Sequence, residues 1–376
     1  MWTRGEVRTV VTSPEQRSTA AVQPAAADGA SGASAEPIPL IRVRDLRKEF
    51  RRPKRHHGFL GGLRTLVTRQ YTVTQAVAGV SFDIAEGELV GYLGPNGAGK
   101  STTIKMLTGI LVPTSGTVEV AGVTPWRERE RNARQIGVVF GQRSQLWWDL
   151  PLIDSFKLIG KLYDIPRETY HANLERFTEL LGMADFLDTP VRQLSLGQRM
   201  RGDLAAAMLY NPRILYLDEP TIGLDVVAKE RMRSFVAELN RQDRTTVILT
   251  THDLDDVERL CSRIVLIDRG RVLYDGDVAA LKARYAPYRE LVVQVADQGS
   301  VQETATAHEL SALVPGVDQV RFDGSKVRLR FNPERVQVAD VVAAVLERHR
   351  VLDLAIVEPN LEDVIHQIYD ERPTAA

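Results

Sequence analysis

The sequence predicts an α/β fold in which a parallel sheet presents a phosphate-binding loop, and three observations predict it. The stretch GPNGAGKST (94–102) lies between a short apolar run, ELVGYL, and TTIKMLTGIL, whose apolar residues recur at helical spacing. A second apolar run, ILYLDEP (214–220), ends in two carboxylates, and a third, TTVILT, leads into TTHD (250–253). Short uninterrupted apolar runs of this kind suit buried parallel strands, and sheets of that class bind ligands at their carboxyl ends.

Each motif has a chemical reason. Gly94, Gly97 and Gly99 let the backbone turn tightly with its N–H groups facing inward, onto a helix N-terminus that favours anions. Pro95, Asn96 and Ala98 complete the loop, and Thr102 closes the pattern. Lys100 is placed to reach the β- and γ-phosphates of ATP, and Ser101 to ligate Mg²⁺. An ordinary glycine turn before a helix would lack this strand, eight-residue pattern and helix together. Asp218 is the expected Mg²⁺ holder, usually through water, and Glu219 the expected general base that polarises an attacking water. Paired acids at a strand end also occur as helix caps; the nucleotide motif upstream argues against that reading here.

Together with Gln142, LSLGQ (194–198) and GLD (223–225), these motifs resemble the nucleotide-binding subunit of ABC transporters, over roughly residues 41–284. The resemblance implies a P-loop NTPase cassette spanning 39–286, with a helical subdomain at about 143–205. It implies an ATP-binding and hydrolysing subunit, peripheral on the cytoplasmic face of the cell membrane, that powers a separate transmembrane permease. A second copy of the chain or a homologous ATPase subunit is then the dimer partner. Export is the expected direction, although importers share these motifs. Ser195 and Gly197 match the signature positions that touch the γ-phosphate across the dimer, and Gln198 belongs to the same motif. Leu196 departs from the family pattern, which commonly has glycine there. Gln142 matches the Q-loop glutamine that senses Mg²⁺ and the attacking water, Asp225 the D-loop, and His252 the switch histidine at the γ-phosphate. The exposed-groove reading of Trp147 and Trp148, as a seat for a permease helix, competes with plain core packing. Two aromatics compete to stack on adenine: Phe50, which is preferred, and Tyr71, which stands where the family pattern resumes after an insertion.

That insertion, 51–72, carries Arg51, Arg52, Lys54, Arg55, Arg64 and Arg69 without one acid, so it reads either as a solvated basic loop or as a contact for anionic lipid or an acidic partner. The segment 1–38 is rich in Ala, Gly, Pro and Ser without apolar periodicity and predicts a disordered tail. The net charge of −1 argues against general nucleic-acid binding, and no nucleic-acid partner is expected. A single cysteine, Cys261, excludes an internal disulfide and is expected to be a buried thiol at the start of an apolar strand. No apolar run approaches the roughly 20 residues that cross a bilayer, so a channel is expected on another chain.

From 287 to 376 no nucleotide motif appears. LVVQV, VDQVRF and VRLRF read as strands and ETATAHELSALV and VADVVAAVLERH as helices, in the order of a small ferredoxin-like α+β domain. A domain ending this way is similar to accessory domains of ATPases that serve drug, antibiotic, lipid or polysaccharide exporters; a purely structural appendage and a regulatory one both fit. The alternative function, a soluble ABC ATPase acting on ribosomes or DNA, usually needs two cassettes in one chain or a long coiled coil. The sequence holds one cassette and no heptad repeat.

Overall fold

A computed structural model describes residues 39–53, 71–141, 143–295, 317–323, 326–348 and 350–370. The tail 1–38, the basic stretch 54–70, Gln142 and the ETATAHELSALV segment lie outside the described residues. The chain separates into two compact units, one ending at Val278 and the other beginning at Ala279.

The first unit opens with a long antiparallel pair, β1 (Ile41–Pro53) and β2 (Tyr71–Ile84). The pairing continues out to Arg52 with Thr72 and Pro53 with Tyr71, so both ends of the basic insertion are drawn into strand. Next come β3 (Leu89–Leu93), α1 (Lys100–Leu107) and β4 (Ser115–Val120). β4 pairs with β1 to give a three-stranded sheet of order β2-β1-β4. The helix anticipated through TTIKMLTGIL stops at Leu107 because Gly109 takes φ +76, where a Cβ would fall 2.5 Å from the Pro125 carbonyl.

α2 (Arg129–Ala133) and β5 (Ile136–Phe140) precede the helical region of α3 (Leu152–Leu162), α4 (Arg167–Leu181) and α5 (Leu196–Met208). The chain then alternates β6 (Ile214–Asp218), α6 (Val226–Asp243), β7 (Thr246–Thr250), α7 (Leu254–Leu260) and β8 (Arg263–Asp268), and adds β9 (Arg271–Asp277) and α8 (Val278–Tyr285). The second sheet has the order β5-β6-β7-β3-β8-β9, parallel except for β9. β3 and β7 are buried along their whole length, as strands covered on both faces must be. The core between the two sheets packs Ile41, Val43 and Phe82 of the antiparallel sheet with Tyr92, Tyr216 and Val265 of the parallel one. Cys261 is buried, and burial pushes its thiol pKa well up, which keeps it an unreactive packing residue.

The second unit takes in α8 beyond Val278 and holds β10 (Arg289–Val295), β11 (Val317–Asp323), β12 (Lys326–Phe331), α9 (Val338–Arg348), β13 (Val351–Val357) and α10 (Leu361–Asp370). Its sheet is antiparallel throughout, in the order β11-β12-β10-β13. Leu291, Val293, Leu329 and Phe331 turn one face toward Val341 and Val345, one helical turn apart on α9. Asn360 caps α10 by accepting from the Asp363 amide at 2.7 Å.

One buried ion pair ties α6 to α7. The Asp256 carboxylate is fully buried and accepts from Arg233 Nε at 2.6 Å and from Thr221 Oγ1 at 2.7 Å. Arg233 also meets Asp255 at 2.9 Å and Glu230 at 3.6 Å, so losing Asp256 removes its one fully buried partner and leaves two at the surface. Asp256→Ala is therefore expected to cost about 3 kcal/mol in denaturant unfolding, the low end for a broken buried pair, and a loss below about 1 kcal/mol would show that Asp255, Glu230 and water suffice for Arg233.

Candidate functional site

β3 delivers the chain to a loop that glycine alone can form. A Cβ on Gly94 would lie 2.3 Å from the Ile267 carbonyl oxygen. Gly99 takes φ +107, and a Cβ there would lie 2.5 Å from the Ala76 carbonyl oxygen. The loop is thus pressed between the end of β8 and β2, and it is pinned by Ala98 N–H donating to Pro95 O at 3.1 Å and Gly270 N–H donating to Ala98 O at 3.0 Å. Pro95, Asn96 and Gly97 are exposed at its crest, while Ala98, Gly99 and Lys100 are buried. No side chain caps α1, so the amides of its first turn are left for an anion. Lys100 Nζ donates to Gly94 O at 2.6 Å. Burial lowers its pKa, and the nearby Glu219 and Asp218 carboxylates partly offset this.

The acids at the end of β6 face this loop. Asp218 Oδ1 accepts from Thr250 Oγ1 at 2.6 Å and from Ser101 Oγ at 3.2 Å. Glu219 takes φ +57, a left-handed conformation unusual for a residue with a Cβ, and its N–H donates to Thr250 O at 2.9 Å. Its Oε2 receives His252 N–H at 3.3 Å and lies 2.6 Å from His252 Nδ1. A carboxylate accepts, so this contact places the imidazole proton on Nδ1. A cleft of 350 Å³ is lined by Ser101, Lys105, Phe140, Arg143, Asp218 and Glu219, together with Ile110 and Gly141.

The donor set fits a nucleotide with Mg²⁺. At Gly94 and Gly99 the loop has no room for a side chain, a buried ammonium stands beside it, and Ser101 Oγ and Asp218 offer hard oxygens side by side. Among the described residues no three His, Cys, Asp or Glu side chains cluster as a metal cage. Mg²⁺ suits such a site because one or two protein oxygens and the phosphates complete its shell.

The remaining expected site residues fall elsewhere. Ser195 caps α5 by accepting from the Gln198 amide at 3.2 Å, while the Gln198 side chain accepts from the Ser195 amide at 2.9 Å. Asp225 caps α6 by accepting from the Ala228 amide at 2.7 Å. Gly197 abuts Ala228, and Leu196 occupies the space beside Gly223, where a Cβ would lie 2.9 Å from Leu196 Cδ2. These residues are brought to one another, and none lines the cleft of Asp218. Phe50 is half-buried on β1, with Lys48 Nζ 5.4 Å from its ring centroid, and Tyr71 is 56% exposed on β2; neither lines the cleft. Trp147 and Trp148 are 40% and 52% exposed.

Gly141 was not legible as a site residue. Its N–H donates to Asp218 O at 2.8 Å, and a Cβ would lie 2.2 Å from Glu219 O. The only signal in the sequence is its position directly before Gln142.

The ABC transporter family model matches residues 77–222. The Nod factor export ATP-binding protein I of Rhizobium meliloti is 35% identical over 306 residues, which cover 79% of this chain and 84% of that protein. The linearmycin resistance ATP-binding protein LnrL of Bacillus subtilis (strain 168) is 30% identical over 300 residues, covering 79% of this chain and 94% of the relative. A solved ATP-binding subunit of an ABC transporter superposes with a TM-score of 0.54 at 26% identity, over 65% of this chain and 93% of its own.

The two glycines with positive φ in the loop separate conformation from space. Gly97, at φ +83, has no atom within 4 Å of a Cβ position, whereas Gly99 has the Ala76 carbonyl. Gly97→Ala is expected to cost about 1 kcal/mol through φ alone, visible as a small drop in unfolding free energy. Gly99→Ala is expected to displace the loop and weaken binding of a fluorescent ATP analogue at least about tenfold, an extra loss of 1.4 kcal/mol or more. Parental affinity in Gly99→Ala would refute the packing argument.

Proposed function

This chain belongs to the ABC transporter family as an ATP-binding subunit, an ATPase that powers a separate permease, and on that premise we propose how its residues divide the work. The observation that carries the proposal is the convergence of Ser101, Asp218 and Glu219 on one cleft beside Lys100. The loop 94–102 wraps the triphosphate of ATP with its amides, and Lys100 turns from the Gly94 carbonyl to the β- and γ-phosphates. Ser101 and Asp218, with Gln142, hold Mg²⁺. When bound, that ion neutralises charge developing on the phosphates. Glu219 accepts the proton of the attacking water. His252, through Nδ1, orients the Glu219 carboxylate and presents its other ring nitrogen toward the γ-phosphate.

Ser195, Gly197 and Gln198 lie at the N-terminus of α5 and away from the cleft of their own chain. That separation supports a composite site in which the signature of one subunit closes over the loop of another, with Asp225 at the junction. Phe50 is the proposed adenine platform, since β1 pairs with β2, the strand whose Ala76 carbonyl supports Gly99. The partners are then a second ATPase subunit and a membrane permease, at the cytoplasmic face of the membrane. Export is the proposed direction; the Nod factor relative is by name an export protein. Among the described residues no helix is long and apolar enough to cross a membrane.

The C-terminal unit is proposed to be a ferredoxin-like βαββαβ domain. The strand order β11-β12-β10-β13 with antiparallel pairing throughout supports it. The domain division 39–286 and 287–376, with the helical subdomain at about 143–205, is part of the same proposal.

Glu219→Gln is expected to retain ATP while lowering turnover on the order of 10²–10⁴-fold, and Lys100→Ala to weaken ATP binding itself. Normal hydrolysis by the Glu219 variant would move the base elsewhere. Affinity capture of the tagged chain from detergent-solubilised membranes is expected to recover a multi-span protein that stimulates its ATPase activity; recovery of ribosomes or DNA factors would point to the soluble alternative.

A further inference from the structure

Asp203 has no part in the nucleotide chemistry above, yet it is 5% exposed and charged. It lies on α5 eight residues beyond Ser195, about 12 Å along the helix that bears the signature. Its Oδ1 accepts from Ser144 Oγ at 3.0 Å and from the Gln145 amide at 2.9 Å, and Gln145 Nε2 donates back to the Asp203 carbonyl at 3.0 Å. Burial pushes the carboxyl up to about 6, against the pull of the Gln145 amide, Ser144 and the Arg199 charge. A carboxylate in so dry a place is sustained by the groups that donate to it.

The same loop is fastened to α5 and its neighbours by apolar and backbone contacts. Gly202, next to Asp203, leaves room for Leu146 and Leu152, whose methyl carbons lie 3.1 and 2.8 Å from the position a Cβ would take. Trp147 N–H donates to the buried Ser155 Oγ at 3.2 Å, and Arg192 N–H donates to Trp148 O at 3.0 Å, two residues before the signature. The Arg199 guanidinium lies 5.4 Å from the Trp148 ring centroid. Three residues before Ser144 the allegiance is different, because Gly141 N–H donates to the Asp218 carbonyl at 2.8 Å. The chain thus leaves the catalytic strand at Gly141 and joins the signature helix at Ser144.

We propose that Asp203 is a positioning residue whose buried carboxylate clamps Ser144 and Gln145 to α5, so that movement of the exposed segment through Trp147 and Trp148 carries Ser195–Gln198 with it as one body. The clamp acts on where the signature is presented and leaves the grip of the loop 94–102 on ATP untouched. It rests on the reading of 194–198 as the signature.

The test is steady-state ATP turnover of the purified full chain with Mg²⁺, alongside thermal melts, for Asp203→Ala, Asp203→Asn, Ser144→Ala, the Ser144→Ala/Asp203→Ala pair and Ser195→Ala. Asp203→Ala is expected to lower kcat about tenfold with KM for ATP within about twofold. Ser144→Ala is expected to lower kcat about threefold, and the pair to be no slower than Asp203→Ala alone, since both changes break one contact. Asp203→Asn keeps an acceptor oxygen and is expected to stay within about threefold of the parent. Ser144 is exposed, so its variant decides the matter if Asp203→Ala fails to fold. Parental kcat in Ser144→Ala, or in a folded Asp203→Ala, additive losses in the pair, or a rise in KM that matches the fall in kcat would overturn the clamp. Ser195→Ala separates the two failures: full turnover there removes the signature reading and this inference with it, whereas a slow Ser195→Ala beside unaffected Asp203 and Ser144 variants removes the clamp alone.

Discussion

Asp218 collects hydrogen bonds from three stretches of chain that are far apart in sequence. Its carboxylate accepts from Ser101 at the start of α1 and from Thr250 at the end of β7, while its carbonyl accepts from Gly141 beyond β5. β6 lies between β5 and β7 in the parallel sheet, so the carboxyl ends of all three strands reach the same edge. The site follows from that arrangement. Glu219 is the next residue, and its amide is tied to Thr250 O, which holds its side chain beside His252. Without the in-register pairing of Leu217 with Leu249 and Asp218 with Thr250, the acids, the hydroxyls and the phosphate loop would have no common origin.

What was legible in the residues was whatever is encoded locally. The phosphate loop could be read because strand, glycines and helix follow one another without interruption, and β6 and β7 because their short runs, buried at four positions in β6 and five in β7, fit strands covered on both faces. The cap at Ser195 lies within reach of the same logic, since its partner Gln198 is three residues on. Side chains that act over long separations were not legible. Asp203 meets Ser144 and Gln145, Arg233 meets Asp256, and Thr221 meets Asp256, each pair separated by at least one intervening element. Nothing in the composition of α5 distinguishes Asp203 from a solvated charge. The competition between Phe50 and Tyr71 had the same origin, because their relation depends on how far the β1–β2 pairing runs, and it runs to Pro53 and Tyr71.

The departure at Leu196 acquires a physical account. A leucine at the first position of α5 needs a surface to cover, and Gly223 supplies one by having no side chain of its own. The signature and the segment leading to the Asp225 cap are thereby in van der Waals contact within one subunit, and Gly197 against Ala228 continues that contact into α6. Two helix N-termini, each capped by its own side chain, are presented together.

The left-handed backbone of Glu219 sets the pace at which its carboxylate can respond. With φ at +57 and its amide held by Thr250 O, the residue cannot reorient by relaxing its main chain without breaking the edge of the sheet. Only rotation about its side-chain bonds remains, and at a side chain 22% exposed and 2.6 Å from His252 Nδ1 that rotation waits on the histidine. Separation and closure of whole subunits belong to microseconds and longer. In the proposed cycle, reorientation of that carboxylate is therefore gated by a single imidazole contact, a local event beside the movement of bodies the size of a helical layer.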